Sequence, residues 1–191
     1  MPRATLHLVT GGARSGKSRY AERLAYALGG GRVTYIATLA PDDDEMRRRI
    51  GRHRAGRPLG WTTVELTADV TSDAARDLVG RAGTDTVLLD CVSGLVTTIV
   101  LERAPDESAT IDAALAVADA LAGAAEAGGK TLIAVTNEVG SGIVPATRLG
   151  RLYRDTLGLT NQRLACHADT VTLLAAGLPL PLKGDPPQEP A

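Results

Sequence analysis

The sequence contains no phenylalanine, one tryptophan and four tyrosines among 191 residues. A core must therefore be built from Leu, Val, Ile and Ala, and the aromatic platforms that stack single-stranded bases are nearly missing. There is also no excess of either charge: 21 Lys and Arg stand against 22 Asp and Glu, a formal net charge of −1. A chain this close to neutral has no whole-molecule attraction for nucleic acid or for an anionic membrane. Its two cysteines, Cys91 and Cys166, lack metal-ligand spacing, and an intracellular setting would keep both as thiols. Long hydrophobic runs are missing as well. The uncharged apolar stretch Cys91–Leu101 is too short to cross a bilayer. The N-terminus enters a strand-like run at once, without space for a removable signal peptide. These features predict a cytoplasmic protein with no membrane span and no nucleic-acid partner.

What is present is a 44% apolar composition, enough for one domain with a real core. Short apolar runs at Leu6–Val9, Val33–Ala37, Thr86–Leu89, Thr131–Val135 and Val171–Leu174 read as buried parallel strands, with Thr62–Leu66 as a further candidate. Helical patterns separate them, at Ser18–Leu28, Glu45–Ala55, Ser72–Arg81, Ala109–Ala127 and Arg148–His167. The alternation predicts an α/β fold, a mostly parallel central sheet with helices on both faces. Residues from Pro179 read as a last extended stretch and then a loose Pro-rich tail. The expected organisation is one domain over 1–183 and a tail over 184–191.

Between the first strand and the first helix stands Gly11-Gly12-Ala13-Arg14-Ser15-Gly16-Lys17-Ser18, a complete G-x-x-x-x-G-K-[ST] loop. Strand, glycine loop and helix together form a phosphate cradle, the P-loop. The glycines let backbone N–H groups close around phosphate oxygens, and the helix start adds unpaired N–H groups and partial positive charge. Lys17 is expected to reach the β- and γ-phosphates, the Ser18 hydroxyl to ligate Mg²⁺, and Arg14 to contact phosphate. Asp90, closing the run Thr86-Val-Leu-Leu-Asp90, is the matching acid of a Mg²⁺–nucleotide site; a strand may equally end in Asp as a turn residue.

The segment Asp42–Pro58 crowds acids at its start and arginines at its end, as a solvated helix with its dipole satisfied would. His53 fits that bland reading less well. Arg47, Arg48, Arg49, Arg52, Arg54 and Arg57 surround it in sequence. Such a neighbourhood disfavours imidazole protonation and gathers phosphate oxygens, both of which a histidine nucleophile at phosphorus requires. His7 lies within a strand, where packing accounts for it, and His167 ends a helix, where a cation is favourable. Thr136-Asn137-Glu138-Val139-Gly140 follows a strand without matching the Asn-Lys-x-Asp guanine-reading pattern, and the polarity of Arg154-Asp155 and Asn161-Gln162-Arg163 suits an exposed helix face.

Taken in order, Val9–Arg19, Tyr35-Ile-Ala-Thr38, Asp44-Glu-Met46 with Arg49-Ile50, His53 with Gly56-Arg-Pro58 and Trp61, Thr136–Gly140 with Gly142–Pro145, and Arg154-Asp155 with Asn161–Ala165 form a distinctive set. It resembles the bifunctional adenosylcobinamide kinase/adenosylcobinamide-phosphate guanylyltransferase family of cobalamin assembly, over roughly residues 5 to 183. The resemblance implies a core similar to recombinase-type ATPases and a homo-oligomer, a trimer by family analogy. It implies GTP or ATP as phosphoryl donor, Mg²⁺, and adenosylcobinamide and its phosphate as partners. It also implies that His53 becomes guanylylated by GTP before GMP passes to the corrinoid phosphate. Two positions depart from the family pattern: Arg52 stands where some relatives carry a second histidine, and Asp90 where some carry Glu. The residues alone also admit a simple P-loop small-molecule kinase, a nucleic-acid-stimulated ATPase resting on the arginine cluster, and a nucleotide switch.

Overall fold

The computed structural model of the chain describes residues 5–38, 58–66 and 70–187. Along the sequence run β1 (Thr5–Gly11), α1 (Lys17–Gly29), β2 (Val33–Ala37), β3 (Thr62–Glu65), α2 (Ser72–Gly80), β4 (Thr86–Asp90), α3 (Val92–Arg103), α4 (Glu107–Ala127), β5 (Thr131–Val135), α5 (Arg148–His167), β6 (Thr170–Ala175) and β7 (Leu178–Lys183). One sheet holds all seven strands in the order β3-β2-β4-β5-β1-β6-β7. The first six are parallel and β7 returns antiparallel to β6. The expected α/β core with a mostly parallel sheet is therefore present, and β5 lies between β1 and β4.

The two faces of the sheet are covered unequally. Leu6, Leu8, Ile36, Val87, Leu89, Leu132 and Ala134 share a cluster with α2, α3, α4 and α5. Val9, Val33, Tyr35, Leu88, Ile133, Val135 and Leu174 face the other way, against Tyr20, Ala21, Leu24 and Ala25 of α1. Near-continuous apolar strands follow from a sheet buried on both sides. Leu8, Leu24, Leu88, Leu132 and Leu157 are fully buried, and each contributes about 1.5–3 kcal/mol relative to exposure.

The α3 helix had no counterpart among the sequence-predicted elements. Val92, Leu95, Val96, Ile99 and Val100 are buried along with Ser93 and Gly94, so the segment is apolar on several sides and shows no amphipathic period. The helix predicted over Glu45–Ala55 lies outside the described residues. Among the described residues one helix, α4, is long and apolar enough to cross a membrane by length and composition. It packs instead on α2 and α5, with Thr110, Ala114, Val117, Ala118 and Leu121 buried.

Candidate active site

In an open parallel sheet, ligands sit beyond the carboxyl ends of the strands. Residues 11–18 leave β1 at that end and pass directly into α1. Gly11 tolerates no side chain, because a Cβ there would stand 2.6 Å from the Leu174 carbonyl oxygen and 2.6 Å from Ser15 Oγ. Gly16 is left-handed at φ 94°, and its Cβ would meet Gly177 Cα at 3.3 Å. The loop is braced from two directions. Glu138 N donates to the Gly11 carbonyl at 3.0 Å and Gly177 N to the Ser15 carbonyl at 3.0 Å. The loop after β5 and the β6–β7 turn thus fix its shape.

Within this frame several polar groups await a partner. Gly16 caps α1 without any side-chain hydrogen bond, so the first-turn N–H groups of that helix remain available to an anion. Thr10 Oγ1 and Ser15 Oγ are buried with no hydrogen-bond partner among the described residues. Lys17 is itself buried, its Nζ donating to the Gly12 carbonyl at 3.1 Å. An uncapped helix start, a cradle that a Cβ would fill and a buried cation are features that suit an oxyanion.

Asp90 ends β4, half-buried. Its Oδ2 accepts a hydrogen bond from the Tyr35 hydroxyl at 2.9 Å. Next to it, Thr38 Oγ1 accepts from Cys91 N at 2.8 Å and donates to the Cys91 carbonyl at 2.6 Å, tying the ends of β2 and β4 together. Burial pushes the Cys91 thiol pKa up, the Asp90 carboxylate pushes it further, and Lys17 acts in the opposite sense. One thiol therefore feels both the cradle lysine and the strand-end acid. Held protonated, Cys91 is a packing residue, not a nucleophile.

A third support was missed in the sequence. Asn161, whose polarity suits an exposed helix face, is half-buried; its Nδ2 donates to the Asn137 carbonyl at 3.0 Å and its Oδ1 accepts from Thr136 Oγ1 at 2.6 Å. It anchors the loop whose Glu138 N–H holds Gly11. A contact between residues 25 positions apart leaves no local pattern to read. Gln162 and Arg163 are exposed as expected, Arg163 pairing with Asp119 at 3.3 Å.

The donor set also suits a hard cation. Ser18 and Asp90 offer oxygen, and no group of three or more His, Cys, Asp or Glu that could hold a metal occurs among the described residues. A cation completed by water and substrate phosphates is the Mg²⁺ pattern, in contrast to an all-protein cage. His53 lies outside the described residues. The chain leaves the sheet for that segment at Thr38, beside Cys91, and returns at Pro58, just before Trp61, whose indole donates to the Gly30 carbonyl at 3.1 Å.

The sequence matches the model of the family described as cobinamide kinase / cobinamide phosphate guanyltransferase, CobU, over residues 7–182. The chain belongs to the CobU family. It is 42% identical to the bifunctional adenosylcobalamin biosynthesis protein CobU of Salmonella typhimurium, over 92% of this chain and 98% of that protein. It is also 42% identical to CobP of Pseudomonas aeruginosa, a protein of the same description, over 94% of this chain and 98% of that protein. CobU of Escherichia coli matches at 42% over 92% and 98%. The glycine cradle thus sits in a fold whose relatives span the chain nearly end to end.

Proposed function

We propose that this CobU-family chain is both a cobinamide kinase and a cobinamide-phosphate guanylyltransferase, and that both reactions draw on the cradle at Gly11–Ser18. In the first, the terminal hydroxyl oxygen of the aminopropanol arm of adenosylcobinamide attacks the γ-phosphorus of GTP or ATP. The β–γ bridging P–O bond breaks, the nucleoside diphosphate leaves and the hydroxyl proton passes to solvent. In the second, an imidazole nitrogen of His53 attacks the α-phosphorus of GTP and the α–β bond breaks, releasing pyrophosphate. A phosphate oxygen of adenosylcobinamide phosphate then attacks the phosphoramidate, the P–N bond breaks and adenosylcobinamide-GDP forms. Splitting the transfer in this way replaces one difficult displacement by two easier ones.

Lys17 holds the β- and γ-phosphates, while Gly11, Gly12, Ala13, Arg14, Ser15 and Gly16 form the loop that closes around them. Ser18 and Asp90 hold Mg²⁺, which offsets charge on the transferring phosphoryl group when bound. The observation that carries this reading is the uncapped start of α1 behind a glycine loop with buried, unpartnered hydroxyls. The assignment of His53 is supported by exclusion. Of the three histidines, His7 is buried against Thr170 Oγ1 at 2.8 Å and His167 meets Asp119 at 2.8 Å, both toward the amino ends of the strands. A cytoplasmic homo-oligomer suits this biosynthetic role, and the exposed Leu178, Leu180 and Leu182 of β7 are apolar surface that a second copy could cover.

Incubation with Mg²⁺ and GTP labelled at the α- or the γ-phosphorus tests the covalent step. The expected product is an acid-labile, base-stable protein adduct from the α-label alone, absent in His53→Ala, with phosphorylation of adenosylcobinamide retained. An adduct that survives the substitution would give the nucleophile to another residue.

A further inference from the structure

We propose that Tyr35 is the positioning residue of the Asp90 carboxylate, its phenol holding Oδ2 so that Oδ1 is kept for the nucleotide-bound cation. The inference rests on the reading that Asp90 serves Mg²⁺. It begins with the register of β2 on β4, where Ala37 lies opposite Asp90 and Tyr35 opposite Leu88. Side chains two apart on a strand share a face. Tyr35, Ala37 and Leu88 all belong to the face covered by α1, so Asp90 projects to the side on which Lys17 and Ser18 begin their helix. The small Ala37 opposite Asp90 leaves room for the phenol to reach forward along β2. Tyr35 is 3% exposed, so its ring is fixed by packing. Its hydroxyl reaches Oδ2 at 2.9 Å, a hydrogen bond to an ionised acceptor and so roughly twice as strong as a neutral one.

The physical need for such a clamp is plain. The terminal torsion of an aspartate is soft, and a loose carboxylate on the face that carries Lys17 could turn away from the cation. The Tyr35 hydroxyl fixes that torsion. In this role it acts through Asp90.

Equilibrium binding of a fluorescent GTP analogue, in Mg²⁺ and again in EDTA, separates this role from packing. Direct Mn²⁺ binding by electron paramagnetic resonance in the presence of GTP supplies a second readout. In Tyr35→Phe the gain in affinity conferred by Mg²⁺ is expected to fall about 5- to 10-fold while affinity in EDTA stays unchanged. Asp90→Asn should lose at least as much, and the double variant no more than Asp90→Asn alone. Retention of the full gain by Tyr35→Phe, with Asp90→Asn losing it, would overturn the positioning role and leave Asp90 as a metal residue. A parallel loss in EDTA would make Tyr35 a packing residue and overturn the proposal. Retention of the gain by Asp90→Asn would overturn the metal reading of Asp90, and this proposal with it.

Discussion

The two ends of the sheet carry polar side chains of similar kinds and use them in opposite ways. At the amino ends several prominent polar groups among the described residues are answered by the protein itself. Lys130 Nζ donates to the carbonyls of Ala82 and Thr84 at 2.8 and 3.0 Å. Asp169 accepts from Leu6 N at 2.9 Å, and Thr34 meets Thr84 at 2.9 Å. Even the polar cavity of about 280 Å³ at this end, lined by Thr5, Leu6, Ala122, Ala125, Glu126, His167 and Asp169, has its histidine and Asp169 engaged with protein partners. At the carboxyl ends Thr38, Asp90 and Asn161 are partnered too, but among the described residues Thr10 Oγ1 and Ser15 Oγ are not. The helices α2, α4 and α5 begin with side-chain caps from Thr71, Asp106 and Thr147. In contrast α1 and α3, which follow the P-loop and Asp90, begin with none. Satisfied polar groups hold a fold, whereas unsatisfied ones store binding capacity for a ligand. Substitutions at one end should therefore reduce stability, and at the other activity.

The largest expected effect is at the carboxyl end. Lys17→Ala should lower both phosphoryl and guanylyl transfer by about 10²–10³-fold, the usual cost of removing one preorganised charge-stabilising donor. The Gly12 carbonyl that loses its ammonium partner lies on an exposed residue and can turn to water, so that contact adds little to the change in melting temperature. Steady-state assays of both half-reactions beside a thermal melt check this. A large loss of stability with intact transfer would erase the contrast between the two ends.

Lys130→Met is the counterpart at the amino end. It keeps the apolar stem but strands two carbonyl groups, and each such group costs about 1–3 kcal/mol when buried. Urea unfolding should show a drop of that order, with both transfer rates within about twofold of the parent at permissive temperature. Asn161→Ala falls between these cases, because its amide braces the site from outside. Losing the bonds to Thr136 and the Asn137 carbonyl should raise the KM for triphosphate several-fold with a smaller change in kcat, measurable in the same assays. A fall in stability with an unaltered KM would move Asn161 to the structural class.

The same contrast decides what could be read from the chain. The P-loop is a local motif whose eight residues dictate a backbone shape, so Gly11–Ser18 was legible before any fold was known. The strands were legible as well, since a sheet buried on both faces needs unbroken apolar runs; Val33–Ala37 and Thr131–Val135 were found at their observed ends. The supports of the site were not. Tyr35 to Asp90, Thr38 to Cys91 and Thr136 to Asn161 are hydrogen-bonded contacts between residues 55, 53 and 25 positions apart. Thr38 and Cys91 in fact share two such bonds, and each pair joins residues whose local sequence explains them adequately as strand, strand end or helix surface. Only the strand order, with β4 beside β2, brings the first two pairs together.

The smallest predicted effect lies at the amino end and depends on pH. His7 is 4% exposed. Burial lowers its pKa below the ordinary 6.5, with Asp169 pulling weakly the other way. A neutral His7 costs nothing at pH 7.5, where the unfolded chain is neutral there too. As pH falls below about 6.5 the unfolded chain takes up a proton that the fold resists, so stability declines on acidification at up to about 1.4 kcal/mol per pH unit. His7→Gln, which keeps a polar partner for Thr170, should flatten that decline while changing stability at pH 7.5 by less than its effect at pH 5.5. Urea unfolding of parent and variant at the two pH values measures it. Equal slopes would mean that acid sensitivity arises elsewhere. Transfer activity at pH 7.5 should be untouched, because a satisfied histidine at this end of the sheet has no route to the phosphates.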